Sequence, residues 1–245
     1  MNLRNFKISL YQAIESPEIS TTFFQKHVNV LESFGVTGIS SAKNTWQNKP
    51  TVWLFVLFNE DDEMIGGVRL DIKSGFKMPL ESALENYPSV MQLASKYELD
   101  FGVAELCGLW IEKEYRKANL ANALIKAAIA TAPNIGVNYI LGFANEHSLK
   151  TTVRLGFSQV AQVENSGVFY YPDGRYKSML IELDAINCQT DEQKDLETIK
   201  LLREDLKFID VVSSEEGLSM VHYNLEAESI RIKKMAEQLK AKLAA

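Results

Sequence analysis

The sequence predicts a mixed α/β fold: a mixed sheet with helices packed on it, followed by a helical C-terminal extension. Three observations carry this. From Met1 to Asp184, apolar runs of strand length alternate with helical periodicities, in the order β-α-β-β-(α)-β-α-β-α-β-β. From Ala185 onward the chain contains one glycine, no proline and no tryptophan, and carries 9 Lys/Arg and 12 Asp/Glu. The whole chain of 245 residues is 46% hydrophobic and 24% charged, ordinary for a globular protein and enough to bury a sizeable core. The expected units are therefore 1–184, with an insertion at about 73–100, and 185–245.

In chain order, residues 6–14 read as a first strand, and 21–34 as a helix ended by Gly35. The apolar run 52–58 is a buried strand. It returns through the polar turn 59–63 into a strand over 64–72. Residues 80–97 read as helix, interrupted near Pro88. Residues 101–111 form a central strand. Leu120, Leu124, Ile125, Ala128, Ile129 and Ala132 make the apolar face of the next helix. A strand over 137–144, a helix over 146–155 closed by Gly156, and strands over 157–164 and 176–183 complete the body. In the tail, Leu196, Ile199, Leu202, Leu206 and Ile209, then Ile232, Met235, Leu239 and Leu243, recur at spacings of three and four. They predict two helices broken around 213–217, whose apolar stripes pack on the body or across a homodimer interface.

Several function classes are excluded. With Lys+Arg 26 and Asp+Glu 32, the net charge is 26 − 32 = −6, and no basic block offers a nucleic-acid surface. No apolar run approaches the ~20 residues of a membrane span, and no signal-peptide core follows the N-terminus, so a cytoplasmic protein is expected. Cys107 and Cys188 suggest neither disulfides nor a zinc site, and His27, His147 and His222 form no metal-ligand pattern.

The chemistry-bearing segment is 105–157. A strand, Glu105-Leu106-Cys107-Gly108-Leu109-Trp110-Ile111, leads through a charged turn into Arg116-Lys117-Ala118-Asn119-Leu120-Ala121, where a helix begins. The first turn of a helix presents free backbone N–H groups and a positive dipole end, which suit an anion. Ala118 and Ala121 let a phosphate approach the backbone.

Strand, Arg-x-x-(small)-x-Ala, helix, strand, Asn145, helix and Arg154-Leu155-Gly156-Phe157 resemble the GNAT N-acetyltransferase superfamily over about residues 52–183. Arg116 and Ala121 match the family's phosphate signature. Asn119 replaces its central glycine, and asparagine tolerates positive φ best among the other residues. The resemblance implies a mostly antiparallel sheet binding acetyl-CoA or another acyl-CoA. The pyrophosphate would lie on the amides of Lys117, Ala118, Asn119, Leu120 and Ala121, and the pantetheine along Leu109, Trp110 and Ile111, with Asn145 also in contact. The acyl group would pass directly to a small-molecule or protein amine. The acceptor site would be built from 21–34, 73–100 and 170–176.

The interval from Glu105 to Arg116 is the offset of the general base in one branch of the family, and burial on a strand suits such a base. The bland reading is a structural ion pair. Thr152 occupies the family's usual tyrosine acid position, which leaves His147 and Tyr170 or Tyr171 as substitutes. His147 also reads as a surface residue at a helix start. Asn145 also reads as a helix cap, and Cys107 as a small strand residue.

A second, fainter similarity is to acyl-homoserine lactone synthases and long-chain N-acyl amino acid synthases. It rests on Gly66-Gly67-Val68-Arg69-Leu70, Met78-Pro79-Leu80-Glu81 and the Glu105 strand. It makes Arg69 a substrate-binding residue beside Tyr170. The bland reading pairs Arg69 with Asp71 or Glu105. A non-catalytic CoA-binding domain is the remaining alternative.

Overall fold

The computed structural model describes residues 3–36, 38, 39, 42–227 and 230. β1 (Arg4–Gln12) is followed by α1 (Pro17–Ser33), then β2 (Val52–Phe58) and β3 (Met64–Ile72). The insertion supplies α2 (Pro79–Ala83) and α3 (Pro88–Asp100). β4 (Val103–Ile111), α4 (Leu120–Thr131), β5 (Tyr139–Asn145) and α5 (Glu146–Arg154) follow. β6 (Ser158–Gln159), β7 (Val168–Tyr170) and β8 (Lys177–Asp184) precede α6 (Gln193–Glu204), β9 (Lys207–Ser214) and β10 (Gly217–Asn224).

The strands form one sheet in the order β6-β8-β5-β4-β3-β2-β1-β10-β9, with β7 also on β8. Among the described residues only β4/β5 and β1/β10 pair in parallel. β2 is buried along its whole length because both sheet faces are covered. Trp53, Phe55, Leu57, Val68, Leu70, Ala104 and Leu106 pack with α4 and α6 in one cluster. On the opposite face, Val52, Leu54 and Val56 meet Phe23 of α1, and Val103 and Leu141 meet the insertion helices. Gly67 admits α1 to the sheet, since a β-carbon there would lie 2.5 Å from the Phe23 ring.

The body follows the expected order, with two corrections. Residues 157–164, expected to be a strand, pair only at Ser158–Gln159 before a short 3₁₀ turn over Glu164–Gly167. Just past the expected strand, Asn165 and Ser166 adopt positive φ, outside the conformation of a regular strand. The larger correction concerns 185–245. Helix occupies Gln193–Glu204, but Leu206 and Ile209 do not continue it. Lys207–Ser214 and Gly217–Asn224 form a hairpin that extends the sheet through β1. The expected helix break at 213–217 is the hairpin turn. Both faces of β9 carry apolar residues, Phe208 and Val212 inward and Ile209 and Val211 outward, and this masks the two-residue period. Leu196, Ile199 and Leu202 join the body's own core rather than facing a partner. The second expected tail helix, with Ile232, Met235, Leu239 and Leu243, lies outside the described residues. No described helix is long and apolar enough to cross a membrane.

Candidate active site

Three local features of β4 shape the site. β4 pairs with β5 only from Val103 to Leu106. Beyond that, β4 stays with β3 as far as Ile111, while β5 follows β8 to Asn145, so the two strands part. At the parting, Gly67 and Arg69 of β3 face Trp110 and Cys107 of β4, so β4 carries one extra residue, a bulge. Gly108 in the bulge has φ +61°, the left-handed region open to glycine. Gly108 and Leu109 are half-buried between buried neighbours, and Trp110 and Ile111 are buried.

β4 runs into a 3₁₀ turn, Lys113–Ala118, and then α4. Asn119 takes φ +57° and ψ 25°, the left-handed conformation that glycine adopts most readily. This turn lets successive amides converge at the start of α4. Ala118 is buried, and Arg116 and Lys117 are exposed. Arg116 Nε donates to the Ile111 carbonyl (3.0 Å), and its guanidinium lies 4.5 Å from the Phe34 ring centroid. A cavity of about 530 Å³ opens there, between Lys26, Asn29 and Phe34 of α1 and its C-terminal end and Glu112, Lys113 and Arg116 of the turn. Asn119 Nδ2 donates to the Ser213 carbonyl (3.4 Å), so the C-terminal hairpin braces this turn.

On the sheet face toward α1 and α2, register brings four polar side chains into a square. Arg69 opposes Cys107 and Asp71 opposes Glu105. Arg69 is fully buried, with Nε 2.7 Å from Asp71 Oδ1 and its guanidinium 4.6 Å from the Trp46 ring centroid. Glu105, 3% exposed, accepts from the Leu80 N–H at 2.6 Å, a donor in the first turn of α2. Burial pushes its pKa up to about 8. The Leu80 hydrogen bond opposes this, Asp71 adds to it, and Arg69 opposes it. Burial holds the Cys107 thiol well above its ordinary value, which disfavours a thiolate nucleophile. Glu81 accepts from Lys73 Nζ (2.8 Å) and from the Met78 N–H (2.9 Å), tying the insertion down beside Glu105.

Not every expected site residue joins this centre. Asn145 accepts from the Ser148 N–H (3.2 Å), capping α5. Thr152 donates back to the Leu149 carbonyl (2.9 Å) within its own helix. Tyr170 is 68% exposed at the edge of β7. His147 begins α5, and its side chain lies outside what is described. The sequence pattern gave His27 no functional role. It is buried on α1 at helical spacing from Ser20 and Phe23, and that spacing was its only signal. Among the described residues no group of three or more His, Cys, Asp or Glu could hold a metal ion.

Residues 32–157 match the model of the acetyltransferase (GNAT) family. No curated protein matches the chain. Among solved structures, FeeM, an N-acyl amino acid synthase from uncultured soil microbes, is similar at 16% identity, with TM-score 0.57 over 75% of this chain and 93% of its own. TofI in an apo form is similar at 10% identity, TM-score 0.53, covering 80% of this chain and 98% of that one. The CoA-dependent acyl-homoserine lactone synthase MesI is similar at 10% identity, TM-score 0.50, covering 80% and 95%.

Proposed function

The chain belongs to the acetyltransferase (GNAT) family of N-acyltransferases, and on that premise we propose that it moves an acetyl or other short acyl group from CoA directly to a primary amine. The observation that carries this reading is Asn119 in the left-handed conformation at the head of α4, the helix that follows the strand from which β5 parts. The residues present suit acyl-CoA. The amides of Lys117 to Ala121 would hold the pyrophosphate. The edge of β4 at Leu109, Trp110 and Ile111 would take the pantetheine, because β5 no longer covers it.

Glu105 is the proposed base. A carboxyl that titrates near 8 holds a proton more strongly than an ordinary carboxylate, so it can take one from the attacking ammonium, directly or through water. Arg69 and Asp71 fix the field around it and, being buried, act from behind the acceptor rather than on its surface. Tyr170, exposed on the β7–β8 hairpin, is available to an acceptor at the rim. A cytoplasmic setting fits Cys107 and Cys188, both free.

Titration calorimetry with acetyl-CoA and CoA tests the reading. Binding is expected, and no heat at millimolar ligand sinks it. Running a long-chain acyl-CoA alongside checks the acyl length. Tighter binding and turnover of the long chain alone would replace the short-acyl reading with a long-chain synthase. Binding without turnover over a broad amine panel would replace it with a CoA-binding domain.

A further inference from the structure

The turn ahead of α4 is held from outside the span that the family model matches. A single short 3₁₀ turn, Lys113–Ala118, has hydrogen bonds of poorer geometry than an α-helix and does little to fix its own position. Two elements beyond residues 32–157 set that position: β1 and the β9–β10 hairpin. The parallel register puts Arg4 opposite Ser219, so the first residue of β1 lies beside the turn of the hairpin. There Arg4 forms an ion pair with Glu216. The same guanidinium lies 5.4 Å from the ring centroid of Tyr115, in the middle of the 3₁₀ turn. Tyr115 is half-buried, and Phe6 of β1 meets its ring edge-on at 6.0 Å. At the far end of the turn, Asn119 donates to the Ser213 carbonyl. Beneath, Ala118 and Leu120 share one buried cluster with Val212 and Val221 of the hairpin. The hairpin end over 213–216 therefore reaches the turn at two points, residue 119 directly and residue 115 through Arg4.

We propose that this hairpin end is part of the cofactor site, with Glu216, Arg4 and Tyr115 as positioning residues that hold the amides of 117–121 ready for the pyrophosphate. The inference rests on the acyl-CoA reading. None of the three residues is assigned a contact with the cofactor; they act through the turn. Backbone N–H groups bind an anion well only if they already converge, because ordering them on binding costs affinity. A turn that visits the convergent arrangement part of the time binds more weakly in proportion to that fraction. The contacts run in series. Glu216 fixes the Arg4 guanidinium, the guanidinium lies against the Tyr115 ring, and Tyr115 fixes the turn. Breaking either link frees the turn. An exposed ion pair contributes little to global stability, so its loss is felt locally, in the turn, and not in the fold as a whole.

The experiment measures acetyl-CoA affinity by calorimetry and amide hydrogen exchange by mass spectrometry, both on the full chain. Arg4→Met and Glu216→Ala are expected to weaken acetyl-CoA binding about threefold to fivefold and to speed exchange in peptides covering 113–121. Exchange elsewhere is expected to stay as in the wild type. The double variant should match the weaker single one, since both substitutions break the same series of contacts. Arg4→Lys, which keeps a cation between Glu216 and Tyr115, should stay near the wild type. Unchanged affinity in both single variants overturns the proposal. So does weaker affinity with unchanged exchange over 113–121. Faster exchange throughout β9 and β10 also overturns it, because the ion pair would then hold the hairpin and not the turn. No acetyl-CoA binding by the wild type overturns the acyl-CoA reading and this proposal with it. The Arg4 and Glu216 side chains are 36% and 31% exposed, so both variants are expected to fold. Should either fail to, Glu216→Gln, which removes only the charge, is judged by the same outcomes.

Discussion

Two buried charge clusters lie on opposite faces of the sheet, and they are built differently. Between α4, α6 and β9, Lys126 sits 3.3 Å from Asp195 and 3.2 Å from Asp210. Arg154 and Asn122 also reach Asp195, and Thr198 reaches Asp210. Two cations meet two carboxylates, and of the groups around them only the Tyr223 hydroxyl goes without a partner among the described residues. On the α1 face, one cation, Arg69, faces two carboxyl groups, Asp71 and Glu105, so the cluster reaches neutrality only when Glu105 holds a proton. There, too, His27 Nδ1 has no hydrogen-bond partner among the described residues. Balanced charge ties α6 and the C-terminal hairpin to α4. Unbalanced charge leaves a group free to exchange a proton, which a site needs and a tie does not.

Substitutions that unbalance the first cluster or balance the second put this contrast at risk. The largest expected effect comes from Lys126→Met, which takes the cation from buried Asp210 and leaves Asp195 with Arg154 alone. It should cost about 3–5 kcal/mol of stability in urea unfolding. A loss below about 1 kcal/mol would mean that the cluster is not a tie. Next is Glu105→Gln, expected to lower turnover about 100-fold or more while leaving CoA affinity within about twofold. An unchanged rate removes Glu105 as the base.

The same variant tests the proton imbalance through pH. Because the folded-state pKa of Glu105 is raised from 4.5 to about 8, its protonated form stabilises the native state fully below about pH 4.5, and that contribution is lost as pH rises through about 8. Wild-type melting temperature should fall across this window more steeply than that of Glu105→Gln. Parallel melting curves would show that the carboxyl ionises without penalty. The smallest effect concerns the turn that both faces share. Asn119→Gly should leave stability within about 0.5 kcal/mol, whereas Asn119→Val forces a β-branched residue into the left-handed region and should cost about 1–2 kcal/mol and weaken CoA binding. Equal behaviour of the two would remove the conformational role assigned to Asn119.

Local chemistry is legible in the chain alone. Leu120, Leu124 and Ile125 announce α4 through their period, and Pro88 divides the insertion helices. Asn119 signals a left-handed turn because its short side chain tolerates positive φ. Glu105 on an apolar strand signals a perturbed carboxyl. The rest depends on partners distant in the chain and emerges only on folding. Arg69 meets Cys107, and Asp71 meets Glu105, through strand register, and a one-residue slip would turn them to opposite faces. His27 meets Gly108 because α1 docks where Gly67 leaves room for Phe23. The hairpin of β9 and β10 extends the sheet because β1, near the opposite end of the chain, offers it an edge. Periodicity and dihedral preference belong to a few neighbouring residues, whereas burial, register and charge balance belong to the assembled core, which no short stretch of chain encodes alone.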